Sequence, residues 1–357
     1  MAFYADENLS KRIHSLRFIL IVFVVFIHNT VIDVGINFAD GTQTFAVPLY
    51  VSKIKEFIGT FTCTAVPLYF LISSVFLYSR EINYKDTIKK KCGTIVLPYF
   101  LWTVLEIIFL AAAQNISFTK PYFANLIIKD FSLWDWLGAF TGKSGMFAGE
   151  GTPLNFPLWF LRDLFILNIF FPVIKKIIDA FPAGAFIVFF MVWIGGITIY
   201  IVSPGALFFF AAGYYIVKYN IDYKHLDNIK IYDMGIMYGV SILMRLFFED
   251  KIPIIGCLNI LIGILFLIRC SGCFIKNQKA YQILSELEKQ QFFIYAAHGV
   301  FLAVLVKGSS KIMPMNGGWL LVHYFGICIV CILLLTGIGM IFKKILPKTF
   351  SVLTGGR

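Results

Sequence analysis

The sequence predicts an all-α, polytopic transmembrane helical bundle, and three features carry that expectation. Hydrophobic residues make up 59% of the 357 and charged residues 14%, against about 45–50% and about 25% in ordinary soluble domains. Apolar runs long enough to span a bilayer recur along the chain. The basic residues then sort onto alternate loops. With a mean hydropathy of +0.81, this composition excludes a soluble globular enzyme, a disordered chain and a nucleic-acid-binding domain.

The apolar runs fall at 13–32, 58–78, 93–113, 157–174, 183–201, 205–218, 229–248, 253–269, 291–307 and 318–342, about ten transmembrane helices. The sixth is short, and Pro204 and Gly205 separate it from the fifth by a tight hairpin. With the N-terminus inside, Lys11, Arg12 and Arg17, then Arg80, Lys85 and Lys89 to Lys91, then Lys343, Lys344 and Lys348 lie on the inner side, and the outer loops are poor in Lys and Arg. An odd number of spans would scramble this sorting, so both termini are expected in the cytoplasm. The net charge of +11 follows from the same bias and calls for no nucleic-acid partner.

The first run is too long for a cleaved signal peptide, and Asn29 to Asp33 offers no small-residue cleavage site. A single membrane domain is expected over 1–357, with a C-terminal tail at 343–357. The outer loop 114–156 carries Trp134 and Trp136 and reads as a folded lid or entry loop at the interface. The inner segment 276–290 reads as an amphipathic helix. The seven cysteines are scattered, and Cys270 and Cys273 form a lone C-x-x-C without a second pair, so no metal site is expected. The stretch Gly138-Ala-Phe-Thr-Gly142-Lys143-Ser144 is one residue short of a phosphate-binding loop and falls on the wrong side for cytoplasmic nucleotides.

Ionisable residues within apolar helices cost about 2.5–3.5 kcal/mol each to insert, so each is a candidate for function. They are Arg17 and His28 in the first run, Glu106 in the third, Arg162 and Asp163 in the fourth, Arg245 in the seventh and His298 in the ninth. Arg17 and His28 are 11 residues apart, which places them on one helix face about 16 Å apart along the axis. A guanidinium at the cytoplasmic end suits the phosphates of a cytosolic ligand, and an imidazole deeper in suits proton transfer. Each has a structural alternative: Arg17 snorkelling to headgroups, His28 as a hydrogen-bonded interior histidine, Glu106 at the outer interface, Arg162 and Asp163 as helix-pairing charges. Arg245 and His298, taken singly, read as structural.

The segment SLRFILIVFVVFIHN, with its Arg, ten residues, then His, resembles the first helix of the acyltransferase family 3 membrane proteins. VPLYFLISSVFL (Val66–Leu77) resembles their second-helix block, with Ser74 where Gly is usual. KKKCGTIVLPYFLW (Lys89–Trp102) resembles the basic cluster leading into Pro-Tyr-x-x-Trp, with Gly93 and Thr94 where a second basic residue is common. PLWFLRDLFILNIFFPVI, FFFAAGYYI and FFIYAAHGVFL resemble three later blocks, so the resemblance runs from residue 15 to about 305. It implies a bundle in the bacterial inner membrane that transfers acyl groups, most often acetyl from acetyl-CoA, to hydroxyls of cell-surface glycans, peptidoglycan or lipids. Some such proteins carry an extra extracytoplasmic domain; the 15 residues after the last run are too few for one.

The expected function is therefore a membrane O-acyltransferase with acetyl-CoA as donor, no metal, and an extracytoplasmic glycan or lipid-linked sugar as acceptor. Arg17, Lys90 and Lys91 would hold the donor. His28 would act as general base or carry the acyl group covalently. Arg162 would stabilise charge at the acyl carbonyl or bind the acceptor, and Glu106, Asp163 and His298 would line the substrate path. The chief alternative is a polysaccharide or lipid-linked sugar transporter, which paired broken helices or inverted repeats would favour.

Overall fold

The structure, a computed structural model, describes residues 6–38, 40–123, 126–142, 151–198 and 202–356. The helices are, in order, α1 (Glu7–His28), α2 (Val31–Val34), α3 (Leu49–Thr62), α4 (Ala65–Tyr78), α5 (Tyr84–Lys91), α6 (Leu97–Asn115), α7 (Lys120–Phe123), α8 (Leu133–Thr141), α9 (Trp159–Ala180), α10 (Pro182–Ile194), α11 (Pro204–Lys218), α12 (Ile231–Phe248), α13 (Ile254–Lys276), α14 (Gln278–Glu288), α15 (Gln291–Ser309), α16 (Trp319–Ile345) and α17 (Pro347–Leu353). Between α2 and α3, β1 (Ile36–Phe38) and β2 (Gly41–Gln43) pair antiparallel. The protein is thus all-α and multi-pass.

Among the described residues, eight helical segments are long and apolar enough to cross a bilayer, and each matches an apolar run of the sequence. The runs at 183–201 and 205–218 form the shorter α10 and α11, of 13 and 15 residues. At 1.5 Å per residue they rise about 20 and 22 Å, short of the ~30 Å hydrocarbon core. Pro182 opens α10 and Gly195 caps it, with Gly196 following at φ +63°, and Ser203 caps α11 through a bond from the Ala206 amide. Residues 199–201 of the expected fifth run lie outside the described residues.

Two further runs depart from single continuous α-helices. The second run is broken at Cys63 and Thr64 into α3 and α4. In the third, a π-helical turn at Cys92–Val96 joins α5 to α6, beside Pro98 in the first turn of α6. A proline lacks the amide hydrogen and crowds the carbonyl four residues back, and a π turn relieves both.

The chain forms two compact units. The first comprises Met1–Val24, Phe57–Lys91 and Asp163–Gln291. In it α4 packs closely against α11: a Cβ at Gly213 would fall 2.5 Å from the Ser74 Cβ, and the Ser74 hydroxyl donates to the Phe210 carbonyl. Absence of a side chain at Gly213 lets the backbones approach. The buried Arg12 forks onto Asp227, and α14 begins where the Asn277 side chain accepts from the Ala280 amide at 3.1 Å. α14 fills the segment expected to be an amphipathic helix.

The second unit comprises Val25–Glu56, Cys92–Arg162 and Phe292–Arg357. Here the Trp102 indole donates to the Leu353 carbonyl at 2.9 Å, and Phe293 stacks on Phe350. The described part of the 114–156 loop is helical in pieces: α7, a 3-10 turn at Ile128–Asp130, and α8 behind a Ser132–Asp135 capping box. Ile128, Ala139 and Leu154 pack on Ile107 of α6. Residues 124–125 and 143–150, with Lys143 and Ser144 of the loop-like glycine stretch, lie outside the described residues.

Candidate active site

The second unit holds the site. α1 ends at His28, and the side chain of the next residue, Asn29, makes tertiary bonds. Its amide donates to the Tyr324 carbonyl at 3.1 Å and to the Cys328 sulfur at 3.4 Å on α16. Asn29 is 1% exposed, and its Oδ1 has no hydrogen-bond partner among the described residues. A buried amide oxygen left unpaired costs about 1–3 kcal/mol unless a ligand or water meets it.

Beside this helix end lies a cavity of about 640 Å³, lined among others by His28, Asn29, Asn37, Phe156, Gly299 and Lys307. That volume is in the range of small-molecule sites. Gly299 lets α15 come close: a Cβ there would lie 3.2–3.3 Å from Pro157 and Phe156. The Phe156 ring stands edge-on to His28, with centroids 4.9 Å apart. The wall from Thr30 to Asn37 depends on Gly35, at φ +74°, where a Cβ would lie 2.3 Å from the Gln43 carbonyl oxygen.

His298, fully buried on α15, meets His28: Nδ1 of His28 is 2.8 Å from Nε2 of His298, and the rings stack with a 17° tilt. The protons can be assigned from the partners. His298 Nδ1 lies 2.7 Å from the Tyr295 carbonyl oxygen and 3.2 Å from that of Ile294. A carbonyl only accepts, so Nδ1 carries the hydrogen. Neutral His298 then presents a lone pair at Nε2, and His28 must donate to it from Nδ1. That fixes the His28 tautomer with its own Nε2 bare, and this nitrogen makes no hydrogen bond to another described residue. An imidazole locked by a second group, with its basic nitrogen open to a cavity, is the arrangement of a general base with its orienting partner.

The remaining expected residues are placed as follows. Arg17, on α1 but in the first unit, donates from Nη1 to Glu288 at 2.9 Å, lies over the Phe76 ring, and keeps its other N–H groups without protein partners among the described residues. Burial raises the Glu288 carboxyl pKa, but the bonds from His14 and Arg17 outweigh that and hold it below its ordinary value. Lys90 is exposed and Lys91 half-buried at the end of α5. Arg162 donates to the Thr141 and Gly151 carbonyls, so it braces the long loop. Asp163 is buried and accepts from the Ser203 amide at 2.9 Å. Glu106 is half-buried on α6 and is not among the cavity-lining residues. Of the described 114–156 loop, Phe156 lines the cavity. The structure thus joins His28 to His298 and brings in Asn29, Asn37, Phe156 and Lys307, which sequence reasoning did not single out. Asn29, adjoining His28, was the one within reach of it.

The chain is 26% identical over 231 residues to the succinoglycan biosynthesis protein ExoH of Rhizobium meliloti, a match that covers 62% of this chain and 58% of that protein. It therefore spans less than two thirds of that relative's length. No solved structure matches the chain significantly. The acyltransferase-domain family, by contrast, matches residues 10–340, nearly the whole helical region and both histidines, and the chain belongs to that family of membrane acyltransferases.

Proposed function

We propose that this protein moves an acetyl group from cytosolic acetyl-CoA to a hydroxyl of a cell-surface glycan or lipid-linked sugar, in a bacterial cytoplasmic membrane with both chain ends inside. Family membership supports the acyl transfer, the relative named for succinoglycan biosynthesis supports a sugar acceptor, and the loop charges support the orientation. The observation that carries the reading is the open Nε2 of His28, held by His298 at the edge of a cavity.

The acceptor hydroxyl enters the cavity and gives its proton to His28 Nε2 as its oxygen attacks the thioester carbonyl carbon. The intermediate collapses by breaking the carbon–sulfur bond, and the CoA sulfur leaves with the proton that His28 returns. While His28 is protonated, its Nδ1–H bond to neutral His298 is charge-assisted, which stabilises the cation. Arg17, with Lys90 and Lys91, is assigned to the donor phosphates through its spare N–H groups. Arg162 serves the acceptor side by holding the loop.

A transporter for the same sugars has one observation in its favour, the break between α3 and α4. Thioester turnover separates the two. Purified protein should release CoA thiol from acetyl-CoA in the presence of acceptor, and His28→Ala should lose at least about 10²-fold of that rate while keeping its thermal stability. Turnover within a few-fold of wild type in that variant would remove His28 from the chemistry.

A further inference from the structure

We propose that the groove beside the His28 cavity, formed by the β1–β2 hairpin and α7, is a second sugar subsite, so that the acceptor is a chain of sugars and not a single sugar. The inference rests on the acyl-transfer reading only for the identity of the reacting end. The groove has a volume of about 610 Å³ and is lined by residues that include Asp40, Thr42, Gln43, Phe118, Tyr122 and Lys311. It belongs to the same unit as the catalytic cavity, and one strand borders both: Asn37 of β1 lines the cavity and Phe38 the groove. Asn37 is tied across the hairpin by the Thr42 hydroxyl, which donates to its Oδ1 at 2.7 Å.

Its chemistry matches a sugar. Phe38, Tyr122 and Phe118 form a run of rings, with centroids 5.8 Å apart for the first pair and 6.3 Å for the second. Phe118 is 80% exposed. A sugar presents a flat face of C–H groups, and C–H edges pack on the negative face of an aromatic ring. Around the rings stand the Asp40 carboxylate, which accepts, and the Gln43 amide and the Thr42 and Ser117 hydroxyls, which both donate and accept, so that together they match the hydroxyls of a sugar. Lys311 is held over Phe38 and Tyr122 at 5.1 and 5.8 Å and has no carboxylate partner among the described residues. Its ammonium donors remain for a ligand. An acyl chain would want a groove without these polar groups, and an anionic headgroup would want cations without Asp40 beside them.

The test measures binding and turnover on the same purified protein. The probes are oligosaccharides of one to six sugars, made by partial hydrolysis of the source organism's surface polysaccharide and separated by size. Wild type should bind four sugars at least about tenfold more tightly than one. Phe118→Ala with Tyr122→Leu should erase about tenfold of four-sugar affinity, the scale of two lost stacking contacts, and leave one-sugar affinity and acetyl-CoA hydrolysis unchanged. Lys311→Gln provides a second, independent variant and should weaken four-sugar binding alone. Length-independent binding by wild type overturns the proposal. So do variants that bind like wild type, as they would if Phe118 were only an interfacial anchor. Length-dependent binding without thioester turnover would keep the subsite and reject the acyl-transfer reading.

Discussion

Replacing His298 separates an orienting role from a packing role. In the resting pair, His28 donates from Nδ1 to His298 Nε2 at 2.8 Å, and His298 donates to the Tyr295 carbonyl at 2.7 Å. His298→Leu removes the acceptor while nearly keeping the volume. At the moment His28 holds the acceptor's proton, the lost bond is one to a charged group, worth about 1.5–3 kcal/mol. At about 1.4 kcal/mol per decade that is roughly 10–150-fold in rate. His298→Gln can accept from His28 with its carbonyl and donate to Tyr295 with its amide, so it should recover to within about tenfold of wild type. The assay is steady-state CoA thiol release at saturating acceptor, with kcat and the donor KM determined separately. The leucine variant should lose kcat with donor KM within about twofold, because the bond strengthens only as the proton moves. Wild-type kcat in the leucine variant would refute the relay. Equal losses in both variants would refute the proton assignment.

Arg17→Ala should weaken acetyl-CoA binding more than Arg17→Lys, since a lysine keeps the charge but not the fork; equal affinities by titration calorimetry would return Arg17 to a snorkelling role. Glu288 is ionised more easily in the folded chain, so its stabilisation is present above its ordinary pKa of 4.5 and fades as pH falls through the lowered folded value. Thermal unfolding of wild type and Glu288→Gln should therefore differ at pH 7 and converge only once the pH has fallen below the lowered folded value; a gap that stays constant from pH 7 into strong acid would contradict the pairing. Gly213→Ala should destabilise the first unit by about 1–3 kcal/mol through overpacking on Ser74, and Ser74→Gly should restore much of it, read as melting temperatures of the single and double variants.

What was legible in the sequence follows from how far apart the determining residues lie. Each spanning helix is fixed by a continuous apolar run, so all eight were readable locally. The break at Cys63 and Thr64 was not, because both halves are apolar and the interruption is made by tertiary bonds: Arg245 donates to the Cys63 sulfur at 3.0 Å and Tyr238 to the Phe61 carbonyl at 2.6 Å. The length of α10 was overread because hydropathy continues past Gly195 and Gly196, whereas the helix does not, while α11 keeps the expected bounds. The β1–β2 hairpin escaped notice because three-residue strands carry almost no periodicity. Its signal was Gly35 and Gly41, both at positive φ.

The two histidines show the same limit at the site. His28 was conspicuous as an imidazole in an apolar helix, and His298 had the same property, yet each alone supports a structural reading equally well. Their chemistry comes from a contact between residues 270 positions apart and from the Tyr295 and Ile294 carbonyls that set the proton on His298. Arg17 follows the same logic. The choice between snorkelling and ligand binding treated its charge as uncompensated, but α14, foreseen as an amphipathic helix, supplies the Glu288 carboxylate. Periodicity could place that helix but could not give it a partner. Because Glu288 takes one N–H and leaves the others, Arg17 is held in place with donors to spare, and a guanidinium so fixed loses less conformational entropy on meeting phosphate than a free one would.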